Sequence, residues 1–275
     1  MKKRLSVAAL LSLGILSTSA FADSFDHSHA TFTAVLAKHV VLIDGGKASQ
    51  VNYASLGKDR AALTAYLTGL SKVSDAEFKA WNKAQKLAFL VNAYNGFTLD
   101  LIVQNYPVKS IKDIGGVFDD RWNRKFFKLL GEDFSLNKIE HDTVRKAGVY
   151  DEPRAHYALN CASIGCPTLR EEAYTADKLD AQLEAQAVRF LSDRTRNRYA
   201  SGKLEVSMIF KWFSVDWESG YKGFQGKTAP IKSRADYFSR YAKVLADNPV
   251  DQQKIADGKV EFSFLDYDWR LNATK

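Results

Sequence analysis

Residues 83–105 constrain this chain more than any other stretch. Leu87, Phe89, Leu90, Val91, Tyr94, Phe97, Leu99, Leu101, Ile102 and Val103 occupy nearly every face of a helix. A helix apolar all round has to be covered on all sides. Asn92, Asn95, Thr98 and Asp100 interrupt the run, which excludes a membrane span and makes it the axis of a protein core. Pro107 ends it. A chain of 275 residues, 46% hydrophobic and 26% charged, has ample material to build that core and is neither disordered nor a disulfide-dense mini-protein.

Other helices follow from apolar spacing and caps. Residues 30–42 form a first helix stopped by Asp44-Gly45-Gly46, and Ala61 to Leu70 a second. Ser74-x-x-Glu77 has the form of a capping box before Phe78 and Trp81. Ser135 caps a short helix carrying Ile139, Glu140, His141, Val144 and Arg145. Thr175 caps one with Leu179, Leu183, Ala187 and Phe190 on one face, and Ser233-x-x-Asp236 opens the last. Ala155 to Cys161 reads as a buried strand, Leu204 to Ser207 as another, and Val260, Phe262 and Phe264 alternate like a half-buried one. Helices dominate and strands do not alternate with them. The fold class is therefore α+β: a mainly helical single domain over 23–275 with a small antiparallel sheet.

The first 22 residues are set apart from that domain. Lys2, Lys3 and Arg4 precede an apolar run from Val7 to Leu16, and Ala20-Phe21-Ala22 has the small-x-small form of a cleavage site. The expectation is a signal peptide cut near Ala22 and a periplasmic or secreted product. The alternative, an uncleaved membrane anchor, is disfavoured because the apolar run is shorter than the ~20 residues of a spanning helix, and no stable anchor is expected after cleavage. Cleavage lowers the formal net charge from +7 to about +4. That mild excess, on an exported chain, argues against a nucleic-acid partner.

Chemistry concentrates in His156-Tyr157-Ala158-Leu159-Asn160-Cys161-Ala162-Ser163-Ile164-Gly165-Cys166-Pro167, which holds both cysteines. Glu140-His141 lies shortly upstream. Cys, His, Glu and Asn are the side chains of a thiol-based acyl-transfer site: a thiolate attacks, an imidazole holds the proton, and a carboxylate or amide orients the imidazole. Four readings of the cysteines stand open: a Cys161–Cys166 disulfide, a catalytic Cys161, two buried thiols, or metal ligation with a histidine. Neither Cys-x-x-Cys nor His-x-x-x-His spacing is present, which makes the metal reading the weakest of the four and also disfavours a redox motif; no metal and no cofactor are expected. On an extended strand His156 and Cys161 point to opposite faces, which favours His141 as the base and leaves His156 second. Glu140 diverges from His141 by about 100° on a helix, so it either orients the base or holds Arg145 or Arg154. Asn92 and Asn95 share one helix face, as loop clamps or as groups orienting the histidine or a substrate amide. Asn92, Asn95, Asn160 and Arg154 are the candidate substrate-binding residues.

Several stretches, in order, resemble the DUF547 family: residues 89–95 (FLVNAYN), 106–112 (YPVKSIK), 136–141 (LNKIEH), 153–170, the 174–191 helix, 210–212 (FKW) and 267–272 (YDWRLN). The resemblance runs from about residue 80 to the end and implies no established reaction. Its pattern places a cysteine at Cys161 and admits serine at Cys166, which implies that Cys161 is the special thiol. Its general look is similar to papain-like or transglutaminase-like thiol hydrolases, although there the nucleophile opens a helix.

The expected function is an exported thiol-dependent hydrolase or acyltransferase acting on amide or peptide bonds of the cell envelope. Cys161 would be the nucleophile, His141 the base, and Glu140 or Asn92 the orienting group. Its partner would be a peptide, peptidoglycan or an envelope protein. The alternative is a non-catalytic envelope module that binds a peptide or glycan, with binding surface drawn from Trp122, Phe126, Phe127, Trp212, Trp217 and Trp269, most of which are expected in the core. A metal-dependent enzyme using His141, His156 and Glu140 is a third option.

Overall fold

The computed structural model describes residues 25–116 and 120–275; the signal peptide expected over residues 1–22 lies outside them. Helix α1 (Ala30–His39) leads into the hairpin β1 (Val40–Ile43) and β2 (Ala48–Val51). Helices α2 (Tyr53–Lys58), α3 (Ala61–Lys72), α4 (Asp75–Ala80) and α5 (Lys83–Asn105) follow, then the hairpin β3 (Phe127–Leu129) and β4 (Glu132–Phe134). A π-helical turn (Lys138–Val144) and a 3-10 helix (Pro153–Tyr157) precede α6 (Leu179–Leu191). The chain closes with β5 (Arg198–Ala200), β6 (Lys203–Ser207), α7 (Ile209–Trp212), α8 (Arg234–Arg240), α9 (Ala242–Leu245), α10 (Pro249–Ala256) and β7 (Phe262–Leu265). Among the described residues no helix is long and apolar enough to cross a membrane.

Helix α5 has the bounds its pattern predicts. Asn82 and Gln85 exchange side-chain and backbone hydrogen bonds in a capping box, and every residue from Leu87 to Ile102 is buried. Gly96 lets α3 approach, since a Cβ there would lie 2.9 Å from Leu67. Ser74 and Ser233 cap α4 and α8 as their spacing predicts.

Among the described residues, buried apolar side chains form two clusters. The first surrounds α5 and takes in α1 to α4; the second lies under β6, α8, α9 and Trp217. Helix α6 joins them, with Leu179 and Leu183 in the first and Ala187, Phe190 and Leu191 in the second.

Four expectations are corrected. The first helix, expected over residues 30–42, ends at His39, where β1 begins, and α6 begins at Leu179 with Lys178 rather than Thr175 at its N-cap. The run from Ala155 to Cys161 is not a strand: Pro153–Tyr157 is a 3-10 helix followed by a loop. Glu152 caps its start by accepting from the Arg154 amide at 3.0 Å. Side chains, not a neighbouring strand, satisfy its buried carbonyls: Gln186 donates to Tyr157 O at 3.2 Å and Asn95 to Ala158 O at 2.9 Å. Among the described residues, moreover, the strands form three small sheets, not one antiparallel sheet. Two are hairpins, and the third, in the order β5-β6-β7, pairs β6 with β7 in parallel. The helices α7 to α10 between β6 and β7 supply the long crossover that parallel pairing needs.

Candidate active site

A cavity of about 290 Å³ opens where the two clusters meet, lined by Glu140, His141, His156 and Cys161 together with Tyr94, Trp122, Phe213, Tyr267 and Trp269, among others. Four residues singled out in the sequence as catalytic candidates thus face one space.

The loop carrying Cys161 is held from three sides. Asn95 donates to Ala158 O and accepts from the Asn160 amide, both at 2.9 Å. The Asn160 side chain donates to Pro167 O at 2.7 Å and accepts from the Ala162 amide at 2.9 Å, bridging the base of the loop. Residues 268–272 zip against it: the amides of Ile164 and Gly165 donate to Arg270 O and Asp268 O at 2.8 Å. Gly165 permits this approach, because a Cβ there would lie 2.9 Å from the Tyr267 ring and 3.0 Å from the Asp268 amide nitrogen. Ala162 adopts a left-handed φ of 62° at the bend. The curl brings the Cα atoms of Cys161 and Cys166 to 6.2 Å, and a disulfide joins them.

The disulfide sits among donors. The Cys161 amide donates to Cys166 Sγ at 3.0 Å. The Tyr267 hydroxyl lies 3.2 Å from Cys166 Sγ and 3.3 Å from Cys161 Sγ, and Ser163 Oγ lies 3.2 Å from Cys161 Sγ. Burial raises the Tyr267 pKa above its ordinary value, so the hydroxyl keeps its proton.

The acid–base groups lie on the other wall. His156 Nε2 lies 2.6 Å from Asp216 Oδ2, and Arg145 Nε donates to the same oxygen at 2.6 Å. A carboxylate only accepts, so neutral His156 carries its proton on Nε2 and leaves Nδ1 as the basic nitrogen. Its ring is sandwiched between Phe213 at 4.5 Å and Trp217 at 5.0 Å. Burial pushes the Asp216 carboxyl up, but the hydrogen bonds from His156 and Arg145 outweigh it and hold it below the usual carboxylate range. Arg145 also donates to His141 Nδ1 at 2.7 Å. Arginine cannot accept, so neutral His141 carries its proton on Nε2. Burial lowers the His141 pKa, and the Arg145 charge lowers it further against the pull of Glu140. His141 is therefore held as a neutral donor, whereas His156 has the carboxylate partner that a base requires.

Glu140 and His141 both reach the cavity because they lie on a π-helical turn, whose wider winding differs from the α-helix their spacing suggests. Glu140 does not hold Arg145 or Arg154. It faces the Tyr94 hydroxyl, whose pKa burial and the Glu140 charge push well above the ordinary tyrosine value.

The four expected substrate-binding residues are placed otherwise. Asn92 exchanges two hydrogen bonds with the Tyr174 backbone, at 2.7 and 2.9 Å. Asn95 and Asn160 are consumed by the cysteine loop, and Arg154 pairs with Glu152, Asp180 and Glu184. All four act as clamps and none lines the cavity. Of the two histidines it is His156, and not His141, that has a carboxylate partner, and that partner is Asp216 rather than Glu140. Asp216 and Tyr267 escaped the sequence reading. Their one signal was proximity to shared motifs: Asp216 lies just beyond Phe210-Lys-Trp212, and Tyr267 opens the closing one.

Trp122, Trp212, Tyr267 and Trp269 form an aromatic wall, with ring centroids 4.6–5.8 Å apart in neighbouring pairs. Trp212 is 42% exposed, which is high for so large an apolar side chain. Phe126, Phe127 and Trp217 pack into the two clusters, in line with the expectation that most of these aromatics belong to the core. Among the described residues no group of three or more His, Cys, Asp or Glu side chains is arranged to hold a metal ion.

A family model described as a protein of unknown function, DUF547, matches residues 78–191. No curated protein and no solved structure is similar enough to match.

Proposed function

Residues 78–191 belong to the DUF547 family, whose description carries no reaction, and from the cavity we propose that the protein is an exported thiol-dependent hydrolase or acyltransferase acting on amide or peptide bonds of the cell envelope. The observation that carries this reading is the meeting of Cys161 with an Asp216-held His156 in one cavity. In the reduced protein His156 Nδ1 takes the Cys161 proton. The thiolate attacks the acyl carbon, and the imidazolium that forms is stabilised by Asp216. His141 Nε2–H is a donor on the same wall for the carbonyl oxygen or leaving group. While Cys161 is bonded to Cys166 its sulfur is no nucleophile, so activity requires the reduced form.

The test is alkylation of the mature protein after reduction by a phosphine. Iodoacetamide labelling of Cys161, followed against pH by mass spectrometry, is expected to show an apparent pKa well below the ~8.5 of an ordinary thiol. His156→Gln should return it towards that value. A Cys161 that reacts like a free thiol in both proteins defeats the proposal.

A second reading, a non-catalytic module binding a peptide or glycan, is favoured by the disulfide and by the exposed aromatic wall. Affinity of the oxidised protein for a peptidoglycan fragment without turnover, lost in Trp212→Ala, would select it.

A further inference from the structure

The acyl-transfer reading needs only the reduced Cys161. It does not use the donors gathered around Cys166. Cys166 Sγ accepts from the Cys161 amide at 3.0 Å and lies 3.2 Å from the Tyr267 hydroxyl. Tyr267 has one proton and three neighbours, the two sulfurs and Ser163 Oγ at 3.0 Å. Ser163 can supply Cys161 Sγ, which frees Tyr267 for Cys166. The Arg196 guanidinium donates to Cys166 O at 2.6 Å, adding positive charge beside that residue, partly offset by Asp193 at 3.2 Å. Both cysteines line the cavity, but Cys166 is buried there and Cys161 is partly exposed. One sulfur is therefore open to attack, and the other is surrounded by groups that stabilise a thiolate.

A structural disulfide requires none of this. Exchange rates depend on access to the attacked sulfur and on how well the leaving sulfur carries charge. Both favour the same direction here.

We propose that Cys161–Cys166 is an exchange-active disulfide that oxidises thiols admitted through the cavity, with Cys161 as the attacked sulfur and Cys166 as the leaving group. An incoming thiolate forms a bond to Cys161 Sγ. The Cys161–Cys166 bond breaks and its electron pair goes to Cys166, where the Cys161 amide and Tyr267 receive it. A second thiolate attacks the sulfur of the bound thiol, forming a disulfide with it and releasing Cys161 as a thiolate. Two thiols are oxidised to one disulfide, and the protein disulfide is reduced to two thiols. This activity holds whether or not Cys161 also attacks acyl carbon.

The experiment treats the oxidised mature protein with glutathione, quenches with acid, and maps the mixed disulfide by mass spectrometry. The native protein is expected to carry glutathione on Cys161 in at least tenfold excess over Cys166. The same protein in denaturant should show nearly equal adducts. Tyr267→Phe, which removes one donor to the leaving sulfur, should slow native adduct formation by roughly three- to tenfold, the equivalent of one hydrogen bond. Should that variant fail to fold, the wild-type comparison of native and denatured protein decides alone. Adducts on Cys166, equal adducts on both sulfurs, a preference that survives denaturation, or no native adduct would each overturn the proposal. Alkylation after phosphine reduction, which passes through no mixed disulfide, reports on acyl transfer separately, so each reading can fail without the other.

Discussion

Replacing Asp216 by Asn tests the electrostatic centre of the cavity. The Asp216 side chain is 7% exposed and that of Arg145 20%, so the pair is only weakly screened by solvent. Asp216→Asn keeps the shape and can keep an acceptor oxygen for His156 Nε2 and Arg145 Nε, which already share Oδ2, but removes the negative charge that pairs with them. A charge-assisted hydrogen bond contributes about 1.5–3 kcal/mol, and breaking a buried pair costs about 3–5 kcal/mol. The expected loss is about 3 kcal/mol at neutral pH. With a urea dependence of ~3 kcal/mol per M for a chain of this size, the unfolding midpoint should fall by about 1 M. Trp217, fully buried 5.0 Å from His156, makes intrinsic fluorescence a direct readout. The exposed Lys128–Asp133 pair, with side chains 69% and 62% exposed, serves as control. Asp133→Asn should leave the unfolding midpoint essentially unchanged. The difference between wild type and Asp216→Asn also has a pH signature. The folded Asp216 carboxyl titrates below its ordinary value. Its contribution is therefore complete above the unfolded pKa of about 3.9 and lost as pH falls through the folded value. A midpoint shift under about 0.3 M, or a difference that stays constant well below pH 3, would refute this account of the pair.

Three further outcomes follow from packing and burial. Asn95→Ala strands the Asn160 amide and the Ala158 carbonyl, at about 1–3 kcal/mol each; chemical denaturation should show a loss of 2–4 kcal/mol, and hydrogen exchange should speed up at Asn160. Gly165→Ala drives a methyl to 2.9 Å from the Tyr267 ring, an overpacking that should cost about 1–3 kcal/mol in thermal or urea unfolding; an unchanged midpoint would mean that the closing segment does not pack there. Burial, then the nearby His27 charge, lowers the His29 pKa to about 4. The folded state thus resists the proton that the unfolded chain binds near pH 6.5, and stability is lost as pH falls through that interval. Between pH 7 and pH 4 wild type should lose about 3 kcal/mol more than His29→Gln, measured by urea titration at each pH; parallel losses would show that His29 is not neutral in the fold.

The legible parts of this structure were those written in neighbouring residues. Asn82 and Gln85 cap α5, and the apolar run after them has one physical solution, so both its bounds and its burial could be read directly. Ser74 and Ser233 announced α4 and α8 in the same local way. The segment from Ala155 to Cys161 misled because a buried apolar run looks alike whether its carbonyls meet a strand or side chains. Gln186 and Asn95, supplied from distant helices, decided the matter. The same holds for Asn92 and Asn95: their shared helix face was plain, but their loop partners were not.

Sequence alone determined that an all-round apolar helix must be the core axis, that both cysteines, two histidines and a glutamate concentrate in a few motifs, and that those motifs resemble DUF547. The tertiary structure decided which of these groups can act together. Asp216 reaches His156 across sixty positions of chain, and Tyr267 reaches the disulfide across about a hundred. Arg145 turns His141 into a donor. Proton position and thiolate stabilisation depend on the atom a few ångströms away, and in a folded chain that atom need not be near in sequence.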